Sequence, residues 1–363
     1  MRHRDRVAMA LAHEIPDRCP MQISFTPEFA VRLRGHLGIS EAETHNPHGG
    51  GNTYVLERAL GEDMLLTSVG WANSYYATDA LSEDGESYLD EWGITWRNVP
   101  YETRFGTGHY TEMVGHPLAD DAAFATYQPP DPERPELYVE AEALVRTYGD
   151  EYWIVGVTVT TVWETAWALR GYERTLIDLA TQPDLVEWLF DIPFHYHLAA
   201  AKRLVELGVD MIWIGDDVGT QHHMLVSPPT WRRFFKPRME TFIHTLKDLN
   251  PALKVAYHSD GMIEPIIPDL IEIGLDVLNP IQPASMNPAQ LAKRYGKELC
   301  FWGTIDEQYT LPFGTPADVA QEVRTRLETV GQRGGLILGP THHVQLDTPM
   351  ENFTALVDTI KGQ

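Results

Sequence analysis

The chain has 363 residues, with 28 Lys and Arg against 52 Asp and Glu, a formal net charge of −24, and 43% of its residues are hydrophobic. This composition is typical of a soluble globular protein that is long enough to bury a large core. The negative charge argues against DNA, RNA or an anionic membrane surface as a partner, because binding to phosphates depends on lysine and arginine.

Further features of the sequence indicate a cytoplasmic protein. The two cysteines, Cys19 and Cys300, are too few for a disulfide framework or a four-cysteine zinc module. The apolar stretch 7–12 is followed at once by His13 and Glu14, so it does not form the hydrophobic region of a signal peptide. No apolar run in the sequence reaches the roughly 18 to 20 residues that a membrane span needs.

Eight short apolar runs are predicted to form strands. In chain order they are residues 19–25, 64–69, 152–159, 211–215, 253–258, 277–281, 299–303 and 335–339. Most are continuous rather than alternating in hydrophobicity, which is typical of parallel strands buried on both faces. Amphipathic stretches are predicted to form helices between them, at 184–207, 228–249, 263–273, 287–295 and 316–330.

The alternation of strands and helices predicts a TIM (β/α)8 barrel, a fold of the α/β class, with residues 1–363 in a single domain. Residues 70–150 are interrupted by glycines and prolines and contain a hairpin-like stretch at 88–99. We therefore interpret them as an insertion after the second strand. A minimal barrel needs about 250 residues, and the insertion accounts for much of the additional length.

Polar residues just after the predicted strands are candidates for an active site, because the active site of a TIM barrel lies at the carboxyl ends of its strands. From the third strand to the eighth, these residues include Trp163 and Glu164, Asp216 and Asp217, His258 and Asp260, Gln282, Asp306, and His342 and Gln345. Adjacent strand residues point in opposite directions, so one carboxylate of the pair 216–217 is expected to cap or pair. We expect Asp217 to be the one that faces the cavity.

A metal site is one interpretation of these residues. His258 and Asp260 are two residues apart, so an extended backbone points both to the same side. His342 would join them from the last strand, completing a set of Zn²⁺ ligands that leaves a position open for substrate. The alternative is that strand-end His and Asp bond to the backbone, with Asp260 capping a helix that begins at Met262.

Several catalytic motifs are absent from the sequence. It has no Gly-rich phosphate loop, no dinucleotide fingerprint, no H-E-x-x-H helix and no Gly-x-Ser-x-Gly elbow. These absences argue against nucleotide-dependent kinases, Rossmann dehydrogenases, zincin proteases and serine hydrolases.

Short motifs spread over nearly the whole chain form a recognisable set. They are Arg4-Asp5-Arg6-Val7 with Pro16-Asp17-Arg18-Cys19-Pro20, Asp90-Glu91-Trp92-Gly93, Arg170-Gly171-Tyr172-Glu173, Asp216-Asp217 with Ser227-Pro228, His258-Ser259-Asp260-Gly261, and Thr348-Pro349-Met350-Glu351-Asn352. Through them the chain resembles the uroporphyrinogen decarboxylase superfamily. That superfamily includes the haem-pathway decarboxylase and the zinc-dependent corrinoid:coenzyme M methyltransferases.

Departures from the family motifs favour the methyltransferase branch. The decarboxylases carry an Arg-Gln-Ala-Gly-Arg type segment that clamps substrate carboxylates, whereas residues 21–27 here contain no arginine. The methyltransferases take zinc ligands from a His-x-Cys-Gly and a Pro-Gly-Cys segment. In this chain His258 keeps the histidine, while Asp260 and His342 stand in place of the two cysteines as harder ligands.

The resemblance implies a zinc-dependent methyltransferase or demethylase that acts with a corrinoid protein or on a small methylated substrate. Zn²⁺ would be held by His258, Asp260 and His342. The expected proton donors or orienting groups are Glu164, Asp217 and Asp306, and the residues expected to contact substrate are Trp163, Gln282 and Gln345.

Two other functions stay open. One is a metal-independent decarboxylase in which Asp217 or His342 stabilises a protonated intermediate. The other is a binding protein that has lost catalytic activity. The ionisable groups at most of the later strand ends argue against this second alternative. A homodimer is compatible with the sequence.

Overall fold

The computed structural model describes residues 1–44, 52–69 and 87–362. Its main feature is a seven-stranded parallel sheet in the order β1-β5-β6-β7-β8-β9-β10. These strands are β1 Met64–Ser68, β5 Trp153–Val157, β6 Met211–Gly215, β7 Lys254–His258, β8 Val277–Asn279, β9 Cys300–Trp302 and β10 Leu336–Ile337. A second, antiparallel sheet contains β2 Ser87–Leu89, β3 Thr95–Thr103 and β4 Gly106–Gly115.

Helices surround the parallel sheet. In chain order the α-helices are α1 His3–Leu11, α2 Pro27–Leu37, α3 Glu41–Thr44, α4 Val55–Leu60, α5 Val139–Tyr148, α6 Trp163–Arg170, α7 Tyr172–Thr181, α8 Pro183–Leu207, α9 Pro228–Phe234, α10 Lys236–Leu249, α11 Ile267–Glu272, α12 Pro288–Tyr295, α13 Thr310–Phe313, α14 Pro316–Thr329 and α15 Met350–Lys361. Among the described residues, no helix has both the length and the apolar character needed to cross a membrane.

The strands of the parallel sheet are buried on both faces, as their continuous apolar sequences predict. In β7, Val255 and Tyr257 pack in the large core shared with the surrounding helices. Ala256, between them, packs in a second, smaller core with Val155 and Ile337 of other strands. Val7 and Leu11 of α1 join that second core. The alternation of a strand therefore divides its side chains between two apolar layers.

The first of the eight predicted strands forms only isolated bridges. Residues 19–25 pair with the far edge of the sheet, where the Gln22 N–H donates to the Leu338 carbonyl at 3.0 Å. On the β1 side, the Met21 and Ile23 N–H groups donate to the carboxylates of Asp63 and Glu62 instead of to backbone carbonyls. The two carboxylates thus take the place of the backbone hydrogen bonds that a regular strand pair would form. The α/β class with a parallel sheet is confirmed, whereas the eight-stranded barrel stays a prediction.

The segment expected to be an insertion contains several elements. Residues 70–86 lie outside the described part of the chain, and the rest includes the antiparallel sheet and α5, which contacts β1 and β5. The turn between β2 and β3 is built by Asp90, whose carboxylate accepts the N–H groups of Trp92 and Ile94 and the indole N–H of Trp96. The Asp90-Glu91-Trp92-Gly93 motif thus has a structural use.

The N-terminal motifs meet in a buried ion network centred on Asp63, whose side chain is fully buried. The Asp63 carboxylate accepts hydrogen bonds from Arg6 at 2.6 Å, Arg18 at 2.7 Å and the Met21 N–H at 2.8 Å. Arg6 also pairs with Asp17 at 2.6 Å. These charges fasten α1 and residues 17–21 to the start of β1, so the N-terminal motifs serve the fold.

Replacement of Asp63 by Asn is expected to lower the free energy of unfolding by about 3 to 5 kcal/mol, because it removes the buried carboxylate that pairs with both Arg6 and Arg18. Although burial raises the pKa of Asp63, the hydrogen bond from His3 and the charge of Arg18 lower it overall. Its contribution is therefore present at neutral pH and lost as the pH falls through that lowered pKa. Urea denaturation at several pH values measures both effects.

The matched control is Asp5→Asn, which removes the partner of Arg2 in an exposed ion pair and is expected to change stability little. Equal stability of Asp63→Asn and Asp5→Asn at pH 7 would contradict the role assigned to the buried network.

Candidate metal centre and active site

A cavity of about 760 Å³ opens at the carboxyl ends of the parallel strands. Its wall includes Trp213 of β6, His258 of β7 and Asn279 of β8. His342 and Gln345, which follow β10, line the same cavity. The position agrees with the expectation that strand ends form the site, and the volume suits a small molecule.

Three potential metal ligands converge beside this cavity, and two of them, His258 and His342, line its wall. One ligand atom from each of His258, Asp260 and His342 lies within 4.8 Å of the other two. The Oδ1 atom of Asp260 is buried and has no hydrogen-bond partner. A buried carboxylate oxygen without a donor is costly, so an additional ligand such as a cation would stabilise this arrangement.

The ring of His258 is oriented by a hydrogen-bonded chain across three strands. Its Nδ1 lies 2.7 Å from Oδ1 of Asn279, and the Asn279 amide nitrogen donates to the Trp302 carbonyl at 3.1 Å. Because that donation fixes the amide, its oxygen faces the imidazole and Nδ1 carries the proton. The Nε2 atom of His258 is left as the ligand atom, which is the arrangement used by metal-binding histidines.

Asp217 and Glu164 extend this cluster away from the metal ligands. An Asp217 carboxylate oxygen accepts the Asp260 N–H at 2.7 Å and lies 3.6 Å from Nε2 of His258. Glu164 in turn accepts the Asp217 N–H at 3.4 Å. Burial and the charge of Asp217 raise the pKa of Glu164 well above its usual range, which favours the protonated form of this carboxyl.

The pKa values of the two histidines are shifted in opposite directions. Burial lowers the pKa of His342. Burial acts in the same direction on His258, but the charges of Asp217 and Asp260 outweigh it and raise the pKa of His258 above its usual value. Neutral imidazole, the form that binds a metal, is thus favoured at His342, whereas a metal at His258 would compete with a proton.

The contacts of Asp216, next to Asp217, are with backbone N–H groups of the fold. Its fully buried carboxylate accepts the Val162 N–H at 3.0 Å and the Glu164 N–H at 3.2 Å, at the start of α6. Burial raises its pKa to about 7. The two adjacent carboxylates therefore have different contacts. Asp216 binds the N–H groups at the start of α6, whereas Asp217 lies beside His258.

Two other candidate residues, Asp306 and Trp163, are not part of the cavity wall. Asp306 accepts the N–H groups of Gln308 and Tyr309 and so shapes the turn before α13. Trp163 is buried in the core against Phe190 and Phe235, because the first turn of α6 points it towards the helices rather than the strand ends.

Gln282 and Gln345 have different positions. The buried Gln282 accepts the Gly261 N–H at 2.6 Å, so it supports the loop that carries Asp260. Gln345 lines the cavity, and its amide donates to the His343 carbonyl at 3.3 Å. Of the three residues expected to contact substrate, Gln345 is the one that the structure places on the cavity wall.

Several residues at or near the site were not predicted from the sequence, including Trp213, Asn279 and Glu307. The Glu307 carboxyl lies close to the backbone of His342, its Oε2 is buried without a partner, and burial raises its pKa to about 9. Its position directly after Asp306 was the available signal, since one of two adjacent carboxylates is expected to turn inward. Trp213 and Asn279 lie within strands and carried no such signal.

Gly215 sets the close approach of β6 to β7 behind His258. Its φ is +139°, and a Cβ atom built there would lie 2.1 Å from the His258 carbonyl oxygen. We expect Gly215→Ala to lower the free energy of unfolding by about 3 kcal/mol or more through strain and overpacking. Guanidinium denaturation measures the change.

The control is Gly35→Ala inside α2, where an added Cβ meets nothing within 4 Å. Alanine should stabilise that helix by about 0.5 to 1 kcal/mol. A Gly215→Ala variant as stable as the wild type would show that the tight contact behind His258 is not required.

Comparisons with known proteins agree with this architecture. The methylcobamide:CoM methyltransferase MtaA of Methanosarcina barkeri is 29% identical over 175 residues, which are 48% of this chain and 48% of that protein, so the chain spans about half the length of this relative. The uroporphyrinogen decarboxylase of Chloroflexus aggregans is 24% identical over 262 residues, 69% of this chain and 70% of that protein.

A solved structure of a methyltransferase from Methanosarcina mazei matches with a TM-score of 0.67 and 22% identity, over 100% of this chain and 99% of that chain. At this level of identity the likeness is one of fold. The family model described as uroporphyrinogen decarboxylase (URO-D) matches residues 101–363, which is more than half of the chain. The chain belongs to the uroporphyrinogen decarboxylase family.

Proposed function

We propose that this protein is a zinc-dependent methyltransferase that acts with a corrinoid protein or on a small methylated substrate in the cytoplasm. The observation that carries the proposal is the convergence of His258, Asp260 and His342 within 4.8 Å, with one Asp260 oxygen buried and unpartnered. The similarity to a methylcobamide:CoM methyltransferase supports the reaction type and the corrinoid partner.

The residues present fit a zinc ion. Two imidazole nitrogens and one carboxylate oxygen are ordinary zinc ligands, and three of them leave a fourth position for a substrate atom. A zinc ion held there would supply Lewis acidity to the heteroatom that donates or accepts the methyl group.

The chain's own residues would hold the ligands and manage protons. Asn279 fixes the His258 ring, and Gln282 supports the loop of Asp260 through the Gly261 N–H. The Asp217 carboxylate is partly exposed beside Nε2 of His258, whereas the pKa of Glu164 behind it is raised by burial and by the charge of Asp217. We assign Asp217 to substrate orientation and Glu164 to proton supply, with Asp217 as the neighbouring acceptor.

A metal-independent decarboxylase is the second candidate, because the similarity to a uroporphyrinogen decarboxylase covers more of the chain than the similarity to the methyltransferase. The cavity argues against it. Among the described residues, neither lysine nor arginine lines the wall, which includes the acidic residues Glu28, Glu57 and Glu62. A polycarboxylate substrate would find no cation there to pair with.

The metal proposal predicts that protein purified without chelator contains about one zinc ion per chain. His258→Ala and His342→Ala should each remove most of it, because either change leaves two of the three ligands. Elemental analysis by mass spectrometry gives the stoichiometry, and circular dichroism shows whether each variant is folded.

His222→Ala is the matched control, since His222 is an exposed histidine of a surface loop. It should retain the full zinc content. A wild-type protein without stoichiometric metal, or activity that is indifferent to chelators and releases CO2 from a carboxylated substrate, would replace this proposal with the decarboxylase.

The ligand set also predicts the character of the metal. A site of two histidines and one aspartate carries one negative charge, whereas a site of one histidine and two cysteines carries two, so zinc here would keep more positive charge. Thiolates are softer ligands than carboxylate and imidazole, and soft ligands favour a further soft ligand on the same metal. The double variant Asp260→Cys with His342→Cys should therefore still bind Zn²⁺ but bind a small thiol more tightly than the wild type. Calorimetric titration with 2-mercaptoethanol measures the shift.

The single variants Asp260→Cys and His342→Cys serve as controls that separate the contributions of the two positions. Unchanged thiol affinity in a zinc-loaded double variant would show that these two residues do not determine the character of the metal.

A further inference from the structure

The part of the cavity beside β1 carries three buried oxygens without hydrogen-bond partners. They are Oε2 of Glu57, Oε1 of Glu62 and Oγ1 of Thr67, and all three residues line the cavity. The Glu62 side chain is fully buried, and its other oxygen accepts the Ile23 N–H at 3.1 Å. We call these three residues the β1 subsite.

The β1 subsite contains carboxyl groups but no cationic side chain. Among the described residues, no lysine or arginine lines the cavity, although the wall also contains Glu28. Burial and the charges of Glu57 and the adjacent Asp63 hold the pKa of Glu62 well above its usual range, and the Ile23 N–H acts in the opposite direction. Buried carboxyl groups without cationic partners are destabilising, so they are usually kept for a ligand.

We propose that the β1 subsite binds the ammonium group of a small methylated amine, whose methyl-bearing end faces His258 and His342 in the same cavity. The position of the methyl group rests on the proposed function, whereas the recognition of an amine does not. A primary ammonium has three N–H donors, and the unpartnered oxygens of Glu57 and Glu62 are buried acceptors that lack a donor. A cavity of about 760 Å³ admits a molecule of this size.

Other small substrates fit the β1 subsite less well. A carboxylate would add a negative charge beside Glu57 and Glu62 without a cation to offset it. A neutral hydroxyl has one donor and would leave two of the three oxygens unpaired. An ammonium forms charge-assisted hydrogen bonds with the carboxylates, which are about twice as strong as bonds between neutral groups.

The test uses three probes of similar size that share a methoxy end. They are 2-methoxyethylamine, 2-methoxyethanol and methoxyacetate, which carry an ammonium, a hydroxyl and a carboxylate. In calorimetric titrations of the full chain at pH 7, the amine is expected to bind about tenfold or more tightly than the alcohol, and the carboxylate more weakly than either. Comparable binding of the amine and the alcohol, or binding of none of the three, overturns the proposal.

Proton release gives a second readout that a merely structural role for Glu62 would not produce. Burial and the neighbouring carboxylates raise the pKa of Glu62, and an ammonium bound beside it would lower that pKa, so amine binding should release protons and its heat should depend on the ionisation enthalpy of the buffer. The alcohol should release none. Buffer-independent heats for the amine would contradict the pairing with Glu62.

Two variants and a control assign the effect to residues. Glu62→Gln keeps an acceptor for the Ile23 N–H but loses the charge, and it should reduce amine affinity about tenfold while leaving the alcohol unchanged. Glu57→Gln tests the same point if Glu62→Gln proves unfolded by circular dichroism. The control is Glu28→Gln, because a Glu28 oxygen already accepts the His109 N–H. Undiminished amine preference in both variants overturns the assignment.

The failure of this inference can be distinguished from the failure of the proposed function. His258→Ala should lose zinc but keep the preference for the amine over the alcohol, since the β1 subsite does not include His258. A protein that binds zinc without preferring the amine refutes the β1 subsite alone. A protein that prefers the amine but holds no zinc refutes the metal proposal alone.

Discussion

Burial of the parallel strands on both faces is the constraint on which the site depends. Because neither face meets water, a polar side chain can leave the apolar layers only where a strand ends. In β7, Val255, Ala256 and Tyr257 are buried in the two cores, and the next residue is His258. The same constraint places Asp217 after β6 and His342 after β10, so residues far apart in sequence meet at one edge.

Buried carboxylates at the start of β1 have cationic partners, whereas those near the cavity do not, among the residues that the structure describes. At the start of β1, Asp63 is paired with Arg6 and Arg18, and the fully buried Arg170 is paired with Asp178 in the same way. At the cavity, Glu62 and Asp260 have buried oxygens without a partner. Pairing with arginine stabilises the fold, whereas unpaired carboxyls reduce stability and retain the capacity to bind a cation or transfer a proton.

The features that follow from local sequence could be predicted, and those that depend on distant contacts could not. Continuous apolar runs predicted the seven paired strands, and their ends pointed to His258, Asp260 and His342. Trp163 was placed at the cavity by sequence position, but the turn of α6 directs its ring into the core. The contact of Glu62 with Ile23 depends on how residues 19–25 meet β1, which no local pattern encodes.

The two ends of the cavity place different demands on one bound molecule. At the end with His258 and His342, a metal held by two histidines and a single carboxylate would favour a heteroatom with a free electron pair. At the end with Glu57 and Glu62, the unpartnered oxygens favour a hydrogen-bond donor. A donor group and an electron pair at opposite ends of a small molecule satisfy both, so the orientation of a bound molecule would be set by polarity as much as by shape.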